Sequence, residues 1–130
     1  FAASAERLKE SDLQGAAFCD TACAVWGMTL GKLTYPVAVG AAAKAMGIPL
    51  EHTLPLYLHA FASNLVAAAQ RLMPLGQTAG QQVLARLAPA IAATATEAQT
   101  ATLDDLTAAS FAADIAAMRH ETLQPRIFRT

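Results

Sequence analysis

The stretch Glu51–Met73, EHTLPLYLHAFASNLVAAAQRLM, decides the fold class. Leu54, Leu58, Phe61, Leu65, Ala68 and Leu72 recur every three or four residues, which is the repeat of one face of an α-helix. Pro55 falls early enough to sit in the first turn, where a missing N–H costs nothing. This is the most apolar run of the chain, yet it carries His59, Ser63, Asn64, Gln70 and Arg71. A membrane span rarely tolerates that polar load, so the pattern predicts a buried helix of a soluble protein.

Working outward, breakers separate further helices on both sides. Downstream, Pro74-Leu75-Gly76 interrupts the chain, and Gln77 or Thr78 opens a helix through Val83, Leu84, Leu87 and Ile91 towards Glu97. Pro89 should kink it, and the alanine-rich stretch Ala92–Thr102 should see it fade. Thr102 or Asp104 can cap a short turn around Asp105 and Leu106, and Ser110 can start a helix over Phe111–Met118 before a tail, Arg119–Thr130. Upstream, Pro36 fits the first turn of a helix Val37–Met46, which Gly47-Ile48-Pro49 ends. Met28–Thr34 reads as a loop, Ala16–Leu30 as a helix, and Phe1–Glu10 as a short helix set apart by Asp12 and Gly15. Nowhere do apolar and polar residues alternate over a β-branched run, and no repeat of solenoid length appears. The expected fold is all-α: a bundle of about five helices without a sheet, one domain over residues 1–130.

Composition narrows the function classes. The chain has 130 residues, 55% apolar and only 15% charged. Much of the apolar content is alanine, which favours helix but buries little area per residue. So apolar a chain is expected to hide surface against a missing half of its own, a twin subunit or a partner. A formal charge of −1 argues against nucleic-acid binding, because phosphate contacts need clustered Lys and Arg. Two cysteines make no disulfide framework, so a cytosolic setting is the default. The sequence opens at Phe1 without an initiator methionine, as expected of a fragment or a processed product, and its start shows no signal peptide.

Each cluster of chemistry-bearing residues has a plainer account. Cys19 and Cys23, four apart, share a helix face and could hold a metal or oxidise together, but no further ligands lie near in sequence, and small buried hydrophobes are the better account. His52 and His59 share a face two turns apart, about 10.5 Å, too far for one ion to take both easily. Gly76-Gln77-Thr78-Ala79-Gly80 lacks the Lys and the strand-to-helix setting of a phosphate loop. Asn64, between Phe61 and Leu65, is expected to be buried and to hydrogen-bond across helices. Arg119-His120-Glu121 are adjacent, so their side chains diverge and form no catalytic set by themselves. The tail alternates Arg119, Arg126 and Arg129 with Met118, Ile127 and Phe128; such an end docks on its own core, inserts into a partner, or frays.

Three segments together resemble the UreF family of urease accessory proteins. The first is Ser63-Asn64-Leu65-Val66 running into Arg71-Leu72-Met73-Pro74-Leu75-Gly76-Gln77-Thr78. The second is Pro36-Val37-Ala38-Val39-Gly40 followed by Met46-Gly47-Ile48-Pro49-Leu50. The third is Met118-Arg119-His120-Glu121-Thr122 with Arg126-Ile127-Phe128-Arg129-Thr130. The resemblance covers Lys32–Thr130 well and the first thirty residues poorly. Tyr35 stands where the family usually has His, and Leu123-Gln124-Pro125 replaces a stretch that normally includes a Tyr. The family's N-terminal half, with its Gly-rich segment, is not in this sequence, so the likeness is to the C-terminal part of a longer chain.

The resemblance implies an all-helical, non-catalytic, cytoplasmic scaffold for nickel insertion into apo-urease, a homodimer that needs no cofactor and neither nucleic acid nor membrane. It implies binding to the accessory protein UreD (UreH) and recruitment of the GTPase UreG. Residues 119–130 would be the partner-binding tail, with Arg119, His120, Glu121, Arg126, Ile127 and Phe128 as its contact residues. The alternatives are a generic helical dimerisation module, or a metal or redox protein using Cys19, Cys23, His52 and His59.

Overall fold

The computed structural model describes residues 2–108 and 110–124. Among them are five α-helices, one 3-10 turn and no strand, so the fold is all-α. The chain forms two compact units, Phe1–Gly47 with Leu106–Thr130, and Ile48–Asp105.

In the first unit, α1 (Ala5–Trp26) packs against α2 (Tyr35–Ala45), and α5 (Phe111–His120) joins α1. Ser4 starts α1 from extended backbone, its hydroxyl accepting from the Arg7 N–H at 3.2 Å. Gly27 ends it in the left-handed region at φ 64°, donating its N–H to the Cys23 carbonyl. The break expected at Asp12 and Gly15 is not there: α1 is continuous. Gly15 is buried where the Leu33–Tyr35 backbone crosses the helix, and a Cβ there would meet the Leu33 carbonyl oxygen. The glycine serves close approach rather than helix termination. Gly15, Cys19 and Ala22 of α1 are buried, as are Ala38, Ala42 and Ala43 of α2; such small residues let two helix axes approach closely. Tyr35, at the start of α2, meets Phe18 edge to face, with ring centroids 5.9 Å apart.

In the second unit, α3 (Leu50–Leu72) and α4 (Gln77–Ala98) pack on each other, and a 3-10 turn, Leu103–Asp105, follows. Pro55 sits in the second turn of α3 rather than the first, and α4 runs through Pro89 to Ala98 without fading at Ala92. Both helices therefore tolerate one missing backbone donor. The α3–α4 seam buries Val66, Gly80, Leu84 and Ala95, and Gln70 bonds to Gln77 at 3.2 Å across the connecting turn.

The face of α3 expected to be core is only partly covered: Leu54, Leu58 and Ala68 are half-buried and none of its six residues is fully buried. Phe61, Leu65 and Leu72 are exposed, whereas Val66 is buried. One residue along a helix is a rotation of about 100°, and α4 covers the face next to the one the leucine repeat marks. Asn64 is exposed for the same reason: it lies on the far side of α3 from Val66, and among the described residues the expected interhelical bond is not made.

Candidate functional site

The sequence residues with a proposed role in partner contact lie at the end of α5. Ser110 precedes that helix; its hydroxyl makes no capping bond, and its N–H donates to the Asp114 carboxylate at 3.0 Å. Arg119 and His120 occupy the last turn, and Glu121 is the C-cap. Cations are stabilised there by the carbonyl end of the helix dipole.

This end of α5 meets the opposite end of α1. The first N–H groups of a helix have no partner within it. At α1 the Ala5 N–H donates to Glu121 Oε1 at 2.7 Å, and Ser4 serves Arg7. Beside this bond, His120 Nδ1 lies 2.6 Å from Glu6 Oε2, and both side chains are half-buried. A carboxylate only accepts, so the shared hydrogen sits on Nδ1. Two polar contacts thus clasp the negative end of α5 to the positive end of α1, closing links of 116 and 114 residues in sequence.

The six tail residues are treated differently by the structure. His120 and Glu121 turn inward to α1. Arg119 is exposed and forms no ion pair with another described residue. Arg126, Ile127 and Phe128 lie outside the described residues. Sequence reasoning missed Ala5 and Glu6, the other half of the clasp. Ser-x-x-Arg hints at a helix start, but no local pattern ties Glu6 to a histidine more than a hundred residues away.

The other candidate clusters are structural in character. Cys19 is buried, and the Cys23 sulfur accepts from the Leu30 N–H at 3.4 Å, fastening the loop after α1. His52 and His59 both line one open groove of about 480 Å³ along α3 and α4, with Pro55, Leu56, Ala88, Ile91 and Ala92. Among the described residues, no three His, Cys, Asp or Glu side chains gather around a point where a metal ion could sit. No helix among them is long and apolar enough to cross a membrane. Gly76 is the N-cap of α4, and Gly80 faces Gln70 and Val66, so both glycines belong to helix packing. Asp105 accepts from the Thr102 N–H at 2.8 Å and its hydroxyl at 2.7 Å, which holds its carboxyl below the usual value.

The pattern that describes UreF proteins matches residues 1–88. The chain belongs to the UreF family. Its likeness to individual UreF proteins runs further than that match, to the end of α5 and beyond. The urease accessory protein UreF of Roseobacter denitrificans is 58% identical over 130 residues, all of this chain and 59% of the relative. The UreF of Ruegeria pomeroyi is 53% identical over 130 residues, all of this chain and 60% of the relative. That of Bradyrhizobium diazoefficiens is 50% identical, with all of this chain and 57% of the relative aligned. The chain therefore spans about three-fifths of the length of these UreF proteins. The alignments include the first thirty residues, so the likeness is broader than the three motifs suggest. The clasp joins both parts: Ala5 and Glu6 lie within the family match, His120 and Glu121 beyond it.

Proposed function

We propose that this UreF-family chain is a non-catalytic scaffold of urease maturation. It acts from the cytoplasm, as a homodimer, by binding UreD (UreH) and recruiting the GTPase UreG so that nickel reaches apo-urease. The observation that carries this reading is the identity of 50–58% along the whole chain to proteins named urease accessory protein UreF. Residues 1–130 act as one all-helical scaffold domain, in which residues 119–130 are the partner-binding tail. Arg126 contributes a planar, charge-assisted donor set to the surface that receives the GTPase. Arg119 is its exposed neighbour, and Ile127 with Phe128 anchor the tail in UreD. Nickel is cargo that need not touch this chain.

The test is co-purification. Arg126→Ala is expected to leave helix content and thermal unfolding unchanged and to weaken retention of UreG by the UreF–UreD pair roughly tenfold, the weight of one charge-assisted contact. Undiminished retention of UreG would sink the assignment of Arg126.

A further inference from the structure

We infer that His120 and Glu121 are positioning residues: they pin the end of α5 to the first turn of α1 and so set where the partner-binding tail leaves the scaffold. The inference rests on the proposed role of the tail, and assigns two of its six residues a different duty.

The argument starts from what holds α5 in place. A helix of ten residues is marginal by itself in water. Burial does little for this one, since no residue of α5 is buried and Phe111, Ile115 and Met118 are exposed. Its fixed points are the contacts at its last turn. Glu121 takes up the Ala5 N–H, a donor that α1 cannot satisfy by itself, and His120 holds Glu6 one residue on.

Neighbouring side chains leave a helix about 100° apart. Two pins from adjacent residues therefore grip α1 from different directions, and α5 cannot swivel about its axis as it could on a single contact. Thr122 and Leu123 then fold back onto the Arg119 and His120 carbonyls at 3.3 and 3.1 Å. The direction of the clasp is thereby passed to the next residues. A partner that used His120 directly would have to strip a half-buried ring from its 2.6 Å bond, and one that used Glu121 would compete with its exposed 2.7 Å bond to the Ala5 N–H. Arg119 is exposed beside them and open to contact.

The experiment uses the full chain and breaks the clasp from both sides, Glu6→Ala doing so without altering any tail residue. Backbone hydrogen exchange of α5 is measured without any partner for Glu6→Ala, His120→Ala, Glu121→Ala and the Glu6→Ala/His120→Ala pair. Capture by immobilised UreD is measured in parallel, with Arg126→Ala and a tail truncated after Gln124 as controls. Glu6→Ala and Glu121→Ala are expected to speed α5 exchange about tenfold or more and to weaken capture. Adding His120→Ala to Glu6→Ala is expected to change neither readout further. Unchanged α5 exchange in both Glu6→Ala and Glu121→Ala overturns the inference. Undiminished capture by Glu6→Ala, or a full further loss of capture in the double variant, overturns it as well, because His120 would then touch the partner itself. If truncation leaves capture intact, the tail reading has failed, and the exchange data still decide whether the clasp holds α5.

Discussion

At the scale of single residues, two glycines inside helices make opposite demands. Gly15 is closed in by main chain: an added Cβ would lie 2.7 Å from both Thr34 C and Tyr35 N and closer still to the Leu33 carbonyl oxygen. None of these atoms can rotate away, so α1 would have to part from the segment that leads into α2. Gly15→Ala is expected to destabilise the chain by about 1–3 kcal/mol despite alanine's better helix propensity, read by urea unfolding. At Gly80 the nearest atom is Gln70 Nε2, at 2.5 Å, the far end of a flexible side chain, with Val66 Cγ1 next at 3.0 Å. Gln70 can swing aside, and the gain of about 0.5–1 kcal/mol from replacing a helical glycine offsets the small shift at Val66. Gly80→Ala is therefore expected to be neutral within about 0.5 kcal/mol in the same assay. Tyr35 belongs to this scale too. Its edge-on contact with Phe18 gives the ring a packing role at the start of α2.

At the scale of elements, the 3-10 turn Leu103–Asp105 is held by one carboxylate. Asp105 accepts first from the Thr102 N–H and then from its hydroxyl, and both bonds favour the ionised form and lower its pKa from 3.8. A depressed folded value means that the turn is stabilised above the ordinary carboxylate range and loses that support as pH falls through the lowered value. A carboxyl-detected NMR titration should place the Asp105 midpoint below 3.8. Thr102→Val should move it only part of the way back, because the larger contribution comes from the backbone N–H. The helices themselves were legible where breakers punctuate the chain: Pro36, Gly47, Pro49, Pro74, Gly76 and Ser110 lie within a residue or two of observed ends. Gly15 misled because close approach and helix breaking leave the same residue in a sequence. The α3 repeat misled because periodicity marks an apolar face without saying which neighbour covers it. The clasp was illegible altogether, since pairing Glu6 with His120 is a tertiary fact with no local spacing to announce it.

At the scale of the whole molecule, what is buried and what is not follow residue size. Among the described residues the buried apolar ones are Cys19, Ala22, Ala38, Ala42, Ala43, Val66, Leu84 and Ala95, so alanine seams and two branched side chains carry the core. Large apolar residues sit outside it, Phe61 at 46% and Leu65 at 54% exposure, against 8% for Leu84. Each fully buried leucine or phenylalanine contributes roughly 1.5–3 kcal/mol, so leaving several in water forgoes much of what 55% apolar content could supply. The 130-residue chain is therefore expected to be marginally stable and prone to self-association. Two variants separate these effects. Leu84→Ala removes a side chain from the α3–α4 seam and should cost about 2–3 kcal/mol in urea unfolding. The pair Phe61→Ser/Leu65→Ser replaces exposed groups and should change stability by no more than about 0.5–1 kcal/mol, while sedimentation velocity shows less association. If the serine pair destabilised the chain as much as Leu84→Ala does, the leucine repeat of α3 would be covered when the chain folds by itself.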